Sequence, residues 1–198
     1  MAKKLDLEIL QGDTFTRVMR WETSPFIYKA ITGVTQAAPV AITAIAHGLK
    51  AGWRVAVVSV KGMKALNAPH QGTRDSDYNQ VTIVDVDNIT LNKINSADYD
   101  AYTSGGYLQF WTPVDMAGYT ARMTIKDRVG GTVLIALVSP TDIVIDNANH
   151  TITVTIGAAI TAAFTWVKGT YDLELVSPTG VVTKLFKGNV VVRKELTT

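Results

Sequence analysis

Apolar and polar residues alternate most strictly in the second half of the chain. In residues 119–126, Tyr119, Ala121, Met123 and Ile125 fall on one side, and Thr120, Arg122, Thr124 and Lys126 on the other. Period two puts one face on a core and the other in water, which is the signature of a half-buried β-strand. Residues 151–156 repeat the pattern with β-branched side chains, and residues 171–175 repeat it again. The last of these runs into Ser177-Pro178-Thr179-Gly180, with Pro and Gly where a type I turn takes them. Residues 181–186 then return as the hairpin partner, and 190–193 make a last short strand.

Between 40 and 111 the strands are shorter. Residues 40–45, 55–60, 81–86, 89–94 and 107–111 are apolar runs separated by Gly48, Gly52, Asp87-Asn88 and Ser104-Gly105-Gly106. Short strands at that spacing predict a small sandwich or barrel. The segment 62–79 is polar with Gly and Pro, and reads as an exposed loop of the kind that makes contacts. One piece has helical spacing instead. Ile160, Ala163, Phe164 and Val167 share a face, which predicts one short helix within 158–167. Its polar face offers only Thr161 and Thr165 before Lys168, so it packs on a core rather than on a membrane surface.

Composition narrows the class. With 198 residues, 47% of them hydrophobic and 18% charged, the chain is long and apolar enough to bury a core in one large domain or two small ones. No apolar run reaches the length of a membrane span, and Asp6 and Glu8 interrupt the start of the chain, so neither a span nor a signal peptide is expected. The absence of cysteine removes disulfides, thiolate metal sites and cysteine nucleophiles, and fits folding in a cytoplasm. The net charge of +2 is spread over interspersed acids and bases, without the gathered cations of a nucleic-acid binder.

Candidate chemistry is sparse. The stretch from His47 to Met63 holds a histidine, glycines, a tryptophan and basic residues beside an apolar run. Yet the three histidines, His47, His70 and His150, sit in separate segments, and no G-x-S-x-G elbow occurs. His47 precedes Gly48 at a strand end, the place of a polar turn residue. Asp75, Asp77 and Asn79 have the spacing that opens a calcium loop, but Gln80 and Val86 stand where that loop needs Gly and Glu. Gly130-Gly131 reads as a hairpin turn, not a phosphate loop. Asp85 and Asp87, the nearest carboxylate pair for a hydrolase, read as strand-end solvation. The four tryptophans, Trp21, Trp53, Trp111 and Trp166, share no spacing. No catalytic, cofactor-binding or metal-binding residue is therefore expected. Cores and inter-domain seams absorb tryptophan more often than partner surfaces do, and Trp53, with His70 and Tyr78, is the candidate partner contact.

Two resemblances add to this. The series Ala46-His47-Gly48-Leu49, Gly52-Trp53-Arg54-Val55, Gly62-Met63, Leu66-Asn67, residues 81–86, Ile89-Thr90-Leu91 and residues 102–106 resembles the small β-barrel named for the first catalytic-cysteine half-domain of ubiquitin-activating enzymes. That module recurs without catalytic function as an insert in bacteriophage virion proteins. The flanks resemble small phage tail or baseplate proteins of β-sandwich type. The residues concerned are 7–15, Arg20-Trp21, 116–125, Val144-Ile145-Asp146, 151–156, 171–175, Gly180 and 188–190.

The two together imply an all-β chain: a β-sandwich of 1–29 plus 114–198, interrupted by a small β-barrel of 30–113. Domain insertion is tolerated where entry and exit lie close together, so Phe26 and Tyr28 are expected to pack near Phe110 or Trp111 at an inter-domain seam. The implied function is a non-catalytic virion protein of the tail, baseplate or fibre-attachment apparatus, made in a bacterial cytoplasm. Its partners would be other phage virion proteins and symmetric copies of itself, with no nucleic acid and no membrane. A head-decoration or head–tail connector subunit is the close alternative. A host-glycan receptor module with an aromatic groove around Trp53 or Trp111 is the alternative from another class.

Overall fold

The alternating run at 119–126 forms the strand Thr120–Lys126, with Ala121, Met123 and Ile125 buried, in a computed structural model that describes residues 2–195. The chain is all-β, with one short α-helix among the described residues. It divides into two compact units, one formed by residues up to Trp21 together with those from Pro113 onward, the other by Glu22–Thr112.

In the discontinuous unit, one sheet is six-stranded. Its order runs Lys3–Lys4, Val182–Arg193, Lys168–Val176, Thr120–Lys126, Val133–Val138, with Leu7–Leu10 also paired to Val182–Arg193. A second sheet of three strands holds Ile143–Asp146, Thr151–Ile156 and Phe15–Met19. Their inner faces share one core, to which Ile9, Met123, Ile125 and Leu173 come from the larger sheet and Ile143, Ile152 and Val154 from the smaller. Each such side chain contributes about 1.5–3 kcal/mol by leaving water. The outer face of the large sheet is polar, with Arg122, Glu174, Lys184 and Asp172 in a cross-strand charge ladder. The predicted turn is present: Gly180 lies at φ +82° and its N–H donates to the Ser177 carbonyl. The Gly130-Gly131 hairpin joins Thr120–Lys126 to Val133–Val138.

Two details differ from the sequence reading. Residues 190–193 are not a separate strand but the end of the twelve-residue strand Val182–Arg193. Gly188 sits inside that strand because the chain's beginning crosses there, and a Cβ at 188 would overlap the Leu5 carbonyl. The helix is also shorter than 158–167, spanning only Ala158–Ala162. Its buried residue is Thr161, whose hydroxyl donates to the carbonyls of Asp13 and Ala158, while Ile160 and Val167 face outward. The Thr161 hydroxyl finds the Asp13 carbonyl at 2.7 Å, so burying it costs less than the sequence pattern assumes.

In Glu22–Thr112 the strands form two four-stranded sheets. One runs Gly33–Val34, Val40–Thr43, Asn88–Leu91, Thr82–Ile83; the other Glu22–Ala30, Tyr107–Pro113, Arg54–Val58, Asn79–Gln80. The small barrel expected here is corrected in one respect, since among the described residues neither sheet closes on itself. Closure needs every strand paired on both sides, and two-residue strands such as Gly33–Val34 and Thr82–Ile83 are too short to supply it. The chain instead changes sheet at a corner, Val81, which is buried and donates its N–H to the Trp53 carbonyl. Val40, Ile42, Val55, Val57, Ile89, Leu91 and Leu108 fill the space between.

Substituting Leu173→Ala is expected to lower the unfolding free energy by about 3 kcal/mol. Gly188→Val should cost a comparable amount by pushing the Leu5 segment off the strand. Urea denaturation followed by circular dichroism measures both.

Candidate functional site

The sheet containing Tyr107–Pro113 has one face in the core and one outside. Leu108 and Phe110 point inward, so Tyr107, Gln109 and Trp111 point outward. Gln109 stands opposite Ala56 and Tyr107 opposite Val58 on the neighbouring strand, and Arg54 has the same parity as Ala56. On the other neighbour, Phe26 and Tyr28 meet this face. The Phe26 and Trp111 rings have centroids 4.1 Å apart, Phe26 and Tyr28 6.4 Å, and Tyr28 and Tyr107 6.1 Å.

One side of the face is covered by the segment after Met63. It contains two 3-10 turns, Lys64–Leu66 and Asp75–Asp77. The second is closed by its own ends, since the Asp77 N–H donates to the Arg74 carbonyl and the Arg74 N–H to Asp77 Oδ2 at 2.9 Å. Asp77 Oδ1 also takes hydrogen bonds from His70 Nδ1 at 2.8 Å and from the Ser76 hydroxyl at 3.3 Å. Beyond it, Gln109 Nε2 donates to Thr73 Oγ1 at 2.6 Å and to the Tyr78 hydroxyl at 3.0 Å. The Arg54 guanidinium lies 6.0 Å from the Tyr78 ring centroid.

The reading of 62–79 as a solvated loop is thereby corrected. Met63, Leu66, Asp77 and Tyr78 are buried, and the Asp77 side chain is 1% exposed against 33% for His70. A carboxylate out of water must be hydrogen-bonded, and here backbone, imidazole and hydroxyl donors supply that. The Arg74 N–H is the main cause holding the Asp77 carboxyl below its ordinary value, opposed by burial and aided by His70 and Ser76. Those donors occupy the oxygens that a cation would need. Asp75 and Asp77 are therefore parts of a turn, and among the described residues no cluster of three or more acidic or histidine side chains could hold a metal ion.

Other sequence candidates fall in separate places. Trp53 is 5% exposed and packs in the core beside Phe110, centroids 6.0 Å apart, so it offers no surface to a partner. Tyr78 is buried under the covering segment, and only His70 of the three expected contacts reaches solvent appreciably. Phe26, Tyr28, Phe110 and Trp111 all belong to the unit Glu22–Thr112. There Phe110 faces the core while the other three share the outer face. His47 is buried. Its Nδ1 accepts the Leu49 N–H at 3.0 Å, so Nε2 carries the proton and donates to the Asp85 carbonyl at 3.0 Å. Both ring nitrogens thus serve the turn. Asp85 accepts from the Asn88 side chain and from the Asp87 and Asn88 N–H groups, which holds its carboxyl low. That is the charge state opposite to a general acid's. Asp87 accepts the Ala46 N–H, and His150 Nδ1 lies 3.2 Å from the Val114 carbonyl.

Nothing in the spacing of Gln109, Thr73 and Arg54 along the chain shows that they belong together. The usable signal was Gln109 itself, a polar residue between Leu108 and Phe110 whose outward parity the alternation fixes. The chain matches no protein-family model, and no curated protein matches it.

Because the folded carboxyl of Asp77 titrates below the ordinary 3.8, its stabilising bonds are fully present above pH 3.8 and are lost as pH falls through the lower folded value. Side-chain carbon NMR should show Asp77 titrating below 3.8, with the Arg74 amide losing exchange protection in the same window. In Asp77→Asn both transitions should vanish.

Proposed function

We propose that the chain is a non-catalytic structural protein of a bacteriophage virion, in the tail, baseplate or fibre-attachment apparatus. It acts by docking on neighbouring virion proteins and on symmetric copies of itself. The observation that carries this reading is the edge strand Val133–Val138. Its six residues, Val-Leu-Ile-Ala-Leu-Val, bear no charge, and Val133 and Val138 are each 51% exposed. Among the described residues it pairs on one side only, with Thr120–Lys126.

Proteins that work alone protect such an edge with charge, proline or a covering segment. Here the protection is confined to its ends. A register irregularity lies opposite Ile125 and Lys126, and the Asp142 carboxylate accepts the Val138 N–H at 3.0 Å. The middle of the strand remains open to a partner strand, which would bind by main-chain hydrogen bonds with side-chain contacts at alternate positions. The edge strands Ile143–Asp146 and Phe15–Met19 likewise present exposed valines, Val144 and Val18. The segmental resemblance to virion proteins supports the same reading from the sequence side.

Particles purified from the organism that encodes the chain test it. Peptide mass spectrometry should find the chain in them, and immunogold label should fall on the tail or its baseplate. Label on the head would favour a decoration or connector subunit, and a chain found only outside particles would contradict the reading. Ala136→Lys, a charge on the open edge, should cut incorporation by about tenfold or more, the effect of roughly 1.4 kcal/mol, while leaving the circular dichroism spectrum unchanged.

A further inference from the structure

The outer face of the sheet formed by Glu22–Ala30, Tyr107–Pro113 and Arg54–Val58 is not finished as a protein surface usually is. Tyr28 is 52% exposed and Tyr107 45%, and among the described residues neither phenol hydroxyl has a hydrogen-bond partner. Their rings meet edge to face, and Phe26 and Trp111 extend the aromatic row along the strands. From Tyr107 to Trp111 the row spans about 13 Å, four residues of extended chain. Gln109 stands in the middle of it, positioned by Thr73 and Tyr78.

Arg54 adds the charge. Arg122, Arg128 and Arg193 each lie against a carboxylate. Arg54 has none among the described residues, and its recorded contact is with the Tyr78 ring. An exposed guanidinium on the strand paired with the row's strand, with no carboxylate against it among the described residues, complements a planar anion that it can hold through two parallel N–H donors.

We propose that this face binds a carboxylate-bearing glycan, a short stretch of acidic polysaccharide lying along the row from Tyr107 to Trp111. A pyranose ring has an apolar C–H face that lies flat on an aromatic ring and a rim of hydroxyls. Rings with free phenol groups and a fixed amide match that combination. An apolar protein partner would leave the phenols unpaired, and a neutral sugar would leave Arg54 unpaired. Arg54 therefore selects the acidic sugar, while the rings supply the contact area. The site is independent of the chain's place in a particle, so its failure and the failure of the virion reading are separate outcomes.

Isothermal titration of the full chain with an alginate hexasaccharide, built only of uronic acids, tests the proposal, with neutral maltohexaose as the comparison. Alginate should bind, maltohexaose should bind at least tenfold more weakly, and added salt should weaken the alginate complex. Tyr107→Ala and Arg54→Gln should each weaken alginate binding at least tenfold while the circular dichroism spectrum is retained. Where Arg54→Gln disturbs folding, Arg54→Lys keeps the charge but removes the paired donors and should still weaken binding severalfold. No alginate binding, equal binding of the two sugars, or binding indifferent to both substitutions would overturn the proposal. So would sedimentation showing a dimer that Tyr107→Ala dissociates, because a second copy would then cover the face.

Discussion

The parallel pairing of the chain's beginning with its end is the constraint on which the discontinuous unit depends. Leu7–Leu10 lies beside Val190–Arg193, and Lys3 and Lys4 beside Phe186 and Lys187. Leu5 and Asp6 join these two short ladders in the same register, and the Leu5 N–H donates to the Lys187 carbonyl at 2.9 Å. The Tyr171 hydroxyl donates to the Leu5 carbonyl at 2.7 Å, and the Asp6 carboxylate accepts the Asn189 N–H at 2.8 Å. Burial pushes the Tyr171 phenol up to about 12, so it remains a donor across the usual range of pH. Ile9, brought in by this pairing, enters the core with Leu173 and Val192. A strand so short has little stability of its own. It is ordered because a preformed sheet edge supplies its hydrogen bonds and a cavity for its apolar side chains.

Where burial follows side-chain alternation, the fold was legible in the sequence. Thr120–Lys126, Thr151–Ile156 and the hairpin around Ser177–Gly180 are such cases, and His47 read as a turn residue is one in which both ring nitrogens serve backbone groups. What could not be read depends on partners distant in sequence. The strand Glu22–Ala30 carries Pro25 and mixes polar with apolar residues, because its outer face is aromatic and half exposed. Residues 190–193 read as a separate short strand, whereas Gly188 lies inside one long strand and marks the close approach of Leu5. Trp53 was only a candidate contact, since tryptophan is enriched at interfaces but cores absorb it more often, and here the core takes it. The helix at Ala158–Ala162 buried the threonine rather than the isoleucine, since the Asp13 carbonyl was waiting as an acceptor and nothing in local spacing announces that.

The candidate site has the same character. Asp77, His70, Thr73, Tyr78 and Gln109 form two small hydrogen-bonded clusters that fix an irregular segment over a sheet face. Each member is unremarkable in sequence. Once assembled, they leave one part of the face covered and another, from Phe26 to Tyr107, aromatic and open. The discontinuous unit shows a different kind of unfinished surface, an uncharged sheet edge. An edge offers backbone groups and an aromatic face offers rings, so the two surfaces differ in the chemistry they present.

Hydrogen exchange read by mass spectrometry tests the central constraint most directly. If Leu7–Leu10 is paired in parallel with Val190–Arg193, the Leu7 and Ile9 amides, of the same parity as the bonded Leu5 and Gln11 amides, exchange as slowly as the bonded amides of 168–176 and 182–193, and Gly188→Val speeds both ends together. Exchange of 7–10 within seconds, at the rate of a free terminus while 182–193 stays protected, would contradict the account.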